Sequence, residues 1–232
     1  MIGNLDARSR REPVRVAFSA ECAQLTEILA ELVDADLDRP TDCPPWTVRE
    51  LIAHIRTGVG RLADMLAAPA PPRPEVDAAG YFGRAKFTAQ VDADRIAGGR
   101  QDALQVDRAA LATELDRAWR TTDVAVAAAP TDRVVRTRHG DAMLLTEFLR
   151  TRVVEVGVHG LDLAAALGRR PWLTPQASAV IADLLTGGKP TPAGLRWDEL
   201  TLIRKTTGRA ALTAPEQAAI DAANFRWLAF GR

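Results

Sequence analysis

The chain of 232 residues contains only three histidines, His54, His139 and His159. His159 lies in the run Arg152-Val-Val-Glu155-Val-Gly-Val-His159-Gly-Leu-Asp162. Spacings of three, four and three place the arginine, the two acids and the imidazole on one helical face. The surrounding helix is apolar. Charged groups buried there unpaired cost several kcal/mol, so they need a metal ion or one another. Glu155 and His159, at i and i+4, can ligate one ion. A third donor from a neighbouring helix makes a three-ligand site with an open position, the catalytic form of a zinc site. His54, three residues after Leu51, is the histidine expected on another helix's inner edge. Imidazole plus carboxylate suits zinc, nickel and iron(II). On spacing alone a salt-bridged face is the simpler reading, with Arg152 paired to Glu155 and His159 to Asp162.

The remaining candidates lie around this set. Arg152 can pair with Glu155 or clamp a substrate carboxylate. Asp162 can orient a ligand imidazole, or serve only in capping or packing. His139, in Arg136-Thr-Arg-His-Gly140, can reach the site rim as a proton shuttle or stand as a solvated loop residue. Arg61, seven residues after His54, shares its face or ends in solvent. Arg138 joins Arg61 and Arg152 as a candidate cation for a dicarboxylate. Cys43 precedes a helix N-terminus, where a thiolate is favoured, yet Pro44-Pro45-Trp46 around it reads as a packed turn. The five tryptophans read as core or domain contacts.

Helices must position these groups. Phe18, Cys22, Leu25, Leu29 and Leu32 mark a helix over about 13–35. Thr47 with Glu50 three residues on is a capping box; it opens a second helix, striped by Leu51, Ile55, Leu62 and Met65, that stops before Pro69. Residues 75–102 predict a long, partly irregular connection around Gly98-Gly99. Leu104, Leu111, Leu115 and Trp119 mark a third helix. A fourth runs from about Gly140-Asp141 to Leu167, with Gly168 as its left-handed stop. Val134-Val135 is too short to argue for a sheet. The expectation is an all-α four-helix bundle over 1–168. Residues 169–232 form a small helical appendage, with helices over 172–185, 197–207 and 215–230.

Composition excludes several classes. Hydrophobic residues make up 47% and charged ones 26%, which fits a folded globular chain and not a disordered one. Thirty basic against thirty acidic residues leave no global field for nucleic acid. No apolar run reaches the roughly 18 residues of a membrane span. The polar start lacks a secretory core, so a cytoplasmic protein is expected. No serine lies in a G-x-S-x-G elbow, and Thr186-Gly-Gly-Lys189 is no phosphate loop, since Asp183 stands where its first glycine belongs.

Two motifs carry a resemblance. Cys43-Pro-Pro-Trp-Thr-Val-Arg-Glu-Leu-Ile-Ala-His54 and Arg152-Val-Val-Glu-Val-Gly-Val-His-Gly-Leu-Asp-Leu163 resemble the second- and fourth-helix motifs of DinB-like, mycothiol-dependent maleylpyruvate isomerase N-terminal domains. The resemblance spans about residues 10–168. It implies a DinB-like bundle whose metal ligands fall on His54, Glu155 and His159. It further implies a divalent ion, zinc first, and mycothiol as cosubstrate. The ion would bind a low-molecular-weight thiol at its open position and ionise it; the thiolate would then attack a small electrophile. If sulfur stays, the enzyme is an S-transferase. If the adduct rotates and expels the thiol, it is a cis–trans isomerase. The family enzyme carries a C-terminal α/β domain, and no strands are read here after Pro171. The tail resembles those of actinobacterial relatives instead. Transfer is therefore the expected reaction, isomerisation the alternative, and a non-catalytic metal-binding or stress-response module the third reading. The expected partners are the thiol and the electrophile, with neither nucleic acid nor membrane, in a monomer or homodimer.

Overall fold

A computed structural model describes residues 2–83, 86 and 88–229. The helices are α1 (Ile2–Ala30), α2 (Asp34–Leu37), α3 (Val48–Ala67), α4 (Ala78–Tyr81), α5 (Ala89–Leu104), α6 (Leu111–Ala128) and α7 (Leu145–Leu167). After α7 come α8 (Pro175–Thr186), α9 (Glu199–Thr206) and α10 (Ala214–Ala222). Strands β1 (Val134–Arg136) and β2 (Ala142–Leu144) form one antiparallel hairpin between α6 and α7. Helices α1, α3, α6 and α7 make the bundle, with α1 and α3 each packed on both α6 and α7. Outside it, α5 lies along α3, and α8 along α1 and α7. The architecture is all-α, a four-helix bundle with a small helical C-terminal region. No described helix is long and apolar enough to cross a membrane.

Local chemistry sets the two helices that matter most. Thr47 caps α3: its hydroxyl accepts from the Glu50 N–H, and the Glu50 carboxylate accepts from the Thr47 N–H at 2.9 Å. The apolar stripe Leu51, Ile55, Val59 and Leu62 is fully buried. Helix α7 is buried on nearly every side because bundle helices cover one face and α8 the other. That is why its polar face is so conspicuous in sequence while its apolar periodicity is weak. It ends at Gly168, whose φ of 65° suits a residue without Cβ.

Several boundaries differ from the sequence expectation. The first helix runs 2–30, not 13–35. Residues 89–104, most of them in the stretch expected as a partly irregular connection, form the regular helix α5. Gly99 is tolerated inside it because the Trp46 indole fills its side: a Cβ there would lie 3.3 Å from three indole atoms. Leu104 closes α5 and is 72% exposed, so it marks no bundle helix; α6 starts at Leu111. The fourth bundle helix starts at Leu145, not near Gly140. Gly140, at φ 86°, turns the hairpin that pairs Val134 with Leu144. Three-residue strands are too short for period-two alternation to show.

In the C-terminal region, Ala177, Ile181, Leu184 and Leu185 of α8 enter the main core, while Leu195, Leu202, Ile220 and Phe225 gather in a small second cluster. The last helix stops at Ala222 because the chain then turns through Asn224 at φ 47°; Phe230, its expected end, lies outside the described residues. Glu216 ties this region together, accepting from Lys205 Nζ at 2.7 Å, Trp197 Nε1 at 2.7 Å and the Thr213 N–H at 2.8 Å. Chiefly through Lys205, these bonds pull its carboxyl from 4.5 down to about 2. A depressed folded pKa gives stability that is present above the ordinary carboxylate range and lost as pH falls toward the folded value. Glu216→Gln is therefore expected to melt below wild type at pH 7, with the gap closing between about pH 4.5 and 2. Thermal melts across that window check it; a gap independent of pH would contradict it.

Candidate metal centre

His54 comes from α3, and Glu155 and His159 from α7. Their ligand atoms lie within 4.8 Å of one another. Glu155 Oε1 stands 2.6 Å from His54 Nε2 and 3.4 Å from His159 Nε2, a carboxylate oxygen facing two imidazole nitrogens. The three side chains are only 13, 16 and 12% exposed in that order. They line a cavity of about 570 Å³.

Burial and charge oppose each other here. Burial pushes the Glu155 carboxyl up, but His54, His159 and Arg152 together hold it well below the usual carboxylate range. Burial pushes the His54 imidazole down against the pull of Glu155, and burial wins. At His159 burial pushes down too, but Asp162 and Glu155 outweigh it and the imidazole is raised. Asp162 Oδ2 lies 2.9 Å from His159 Nδ1. Burial raises the Asp162 carboxyl, but His159 and Arg209 overcome it and keep it ionised. An ionised carboxylate only accepts, so His159 Nδ1 carries the proton and Nε2 is left toward Glu155.

This donor set fits a divalent ion. Two imidazole nitrogens and one carboxylate oxygen converge, one imidazole is oriented from behind by a carboxylate, and a cavity adjoins the open side. The salt-bridged reading describes the same geometry: His159 pairs with Asp162 at 2.9 Å, and Arg152 Nη2 with Glu155 Oε2 at 3.9 Å. A second group, Cys43 with His159 and Asp162, is also close enough to share an ion. It is the poorer set. Burial raises the Cys43 thiol, against the thiolate expected at a helix start, and both Asp162 oxygens are already engaged by Arg209.

Of the nine residues singled out in sequence, eight line the cavity: Cys43, His54, Arg61, Arg138, His139, Arg152, Glu155 and His159. Asp162 stands behind His159. Arg152 is buried, with its guanidinium 4.8 Å from the Phe148 ring and 3.4 Å from the Tyr81 hydroxyl. Arg61 feels Arg138 and Arg152: after burial, these two neighbours push its guanidinium down. Arg61, Arg138 and Arg152 therefore share one cavity, which Arg95 and Arg209 and the carboxylates of Asp92, Asp94 and Asp102 also line. His139 meets Tyr81 edge to face, ring centres 5.4 Å apart.

Other functional neighbours escaped the sequence reading. Trp46, expected only as core, is 2% exposed, but its ring also covers His54 at 4.4 Å. Arg95 lies 4.8 Å over that indole. Tyr81 and Arg95 fall in the stretch expected as irregular chain, where no pattern flagged them. Trp46 had a signal, since it lies inside the first motif.

Fold and site together describe a helical-bundle protein with a His/Glu/His cluster that could hold a metal ion. Residues 18–164 match the family model of the mycothiol maleylpyruvate isomerase N-terminal domain, and the chain belongs to that family. The fold is the all-α four-helix bundle expected from sequence. Among solved structures, that of the mycothiol-dependent maleylpyruvate isomerase is similar at 18% identity and a TM-score of 0.48, over 78% of this chain and 69% of that one. A histidine-to-alanine mutant of that enzyme gives the same values. No curated protein matches.

Proposed function

We propose that this chain is a cytoplasmic, metal- and mycothiol-dependent enzyme that isomerises a small unsaturated dicarboxylate of the maleylpyruvate type. The observation carrying this reading is the cation set: Arg61, Arg138 and Arg152 line the same cavity as His54, Glu155 and His159. Thiol transfer to a neutral electrophile needs no such set. Two substrate carboxylates do, because guanidinium groups grip carboxylates through paired, charge-assisted hydrogen bonds. Family membership supports the same choice over the S-transferase expected from sequence.

A divalent ion held by His54, Glu155 and His159, zinc by its donor set, would supply the positive charge that keeps a thiol ionised at neutral pH. Asp162 fixes the His159 ring and its tautomer. Arg152 would take one substrate carboxylate, and Arg61 with Arg138 the other. Trp46 lies against His54, and Arg95 over Trp46. In the reaction itself the thiolate adds to one carbon of the cis double bond, and the π pair moves toward the adjacent carbonyl. Rotation about the resulting single bond follows. Expulsion of the thiolate re-forms the double bond as trans, so the thiol is returned.

That return is the test. With the metal-loaded protein, maleylpyruvate and mycothiol at a tenth of the substrate concentration, complete conversion with full recovery of free thiol is expected. One thiol lost per product would establish transfer instead. No conversion would point to the non-catalytic module.

A further inference from the structure

We infer that Arg209, on the turn after α9, is a positioning residue that sets the metal affinity of the centre by clamping Asp162 against His159. The inference rests on the metal reading of His54, Glu155 and His159. Arg209 lies beyond the residues matched by the family model, so the C-terminal region completes a centre otherwise built by α3 and α7.

All three guanidinium nitrogens are engaged. Nε donates to Asp162 Oδ1 at 2.9 Å and Nη2 to Asp162 Oδ2 at 2.7 Å, a two-point grip. Nη1 donates to the Thr207 carbonyl at 2.8 Å, which fixes the guanidinium plane. The backbone is held as well: the Arg209 N–H donates to the Arg204 carbonyl at 2.6 Å. Gly208, at φ 76°, takes the left-handed conformation that reverses the chain after α9 and returns it to α7. The Asp162 side chain is 2% exposed, so it has no water to orient or neutralise it. Asp162 Oδ2 also accepts a hydrogen bond from His159 Nδ1 at 2.9 Å. The imidazole is thus aimed by a carboxylate that is itself aimed by Arg209. Such outer groups hold a ligand's tautomer and direction, and losing one typically costs about 10–100-fold in metal affinity.

The test is a double-mutant cycle on zinc affinity, read by competition with a chromogenic chelator. Wild type, Arg209→Ala, Asp162→Asn and the double variant are compared, with melting of the metal-free proteins in parallel. Arg209→Ala is expected to weaken zinc binding about 10–100-fold. In the Asp162→Asn background it is expected to add nothing, because Arg209 works through Asp162. Arg209→Lys keeps the charge but cannot grip both oxygens, and is expected to lie between. A purely structural arginine would lower melting and leave the affinity of the folded protein alone. Wild-type affinity in Arg209→Ala, or independent multiplying losses in the double variant, would overturn the inference. If Arg209→Ala does not fold, wild-type affinity in Arg209→Lys would overturn it. A wild type that binds no zinc overturns the metal centre and this inference with it, whereas a zinc-binding wild type with unchanged variants overturns the inference alone.

Discussion

Glu155→Ala is expected to reduce bound metal from about one equivalent to near none and to reduce turnover to background. Glu155 is the hub of the centre, the one group within reach of both imidazoles. It is also the only anion among the three donors. Loss of a group that merely orients a ligand costs about 10–100-fold in affinity, so loss of a ligand costs more than that. Stability should fall too. His54 and Arg152 lose their partner in a nearly water-free setting, which costs about 1–3 kcal/mol for groups of this kind. Metal content by elemental analysis, with a far-ultraviolet circular dichroism check of fold, separates the two effects. A folded variant that keeps a full equivalent of metal would contradict the assignment.

Gly157→Val is expected to lower stability without touching the centre. Gly157 lies on α7 only two residues from Glu155 but faces the other way, against the C-terminal region. A Cβ there would meet Ile181 Cδ1 at 2.7 Å and Leu173 Cδ1 at 2.8 Å. Both partners lie in packed apolar surroundings, and a branched side chain adds still more volume. Overpacking of this kind costs about 1–3 kcal/mol. Each kcal/mol corresponds to about 2–4 °C of melting temperature in a domain of this size. Zinc affinity of the folded variant should stay within about twofold, since the opposite helix face carries the ligands. An unchanged melting temperature would mean that α8 does not dock on α7 as described.

The legible part of this protein was the part governed by local rules. The capping box at Thr47, the stripe from Leu51 to Leu62 and the glycine stop at Gly168 each follow from a few neighbouring residues, and each stands in the structure. The polar face of α7 was legible for a related reason: Arg152, Glu155, His159 and Asp162 contradict their apolar surroundings. What failed to show depended on distant partners. Helix α5 looks irregular in sequence because Gly99, the second of its glycine pair, makes sense only beside Trp46, whose Nε1 donates to the Ile96 carbonyl at 3.4 Å. The hairpin was too short to announce itself. Arg209 reaches its carboxylate across 47 residues, and no spacing rule connects them. Arg61 and Arg138 could be named as candidate clamps, but their sharing of one cavity with Arg152 required the fold.

The central claim is that His54, Glu155 and His159 hold one metal ion. It is tested most directly by the metal content of the protein purified without a histidine tag, with His159→Ala in parallel. About one equivalent of zinc or a similar divalent ion in the wild type, lost in the variant, is the predicted result. No metal in either protein, even after incubation with zinc, would contradict the centre and the thiol chemistry built on it.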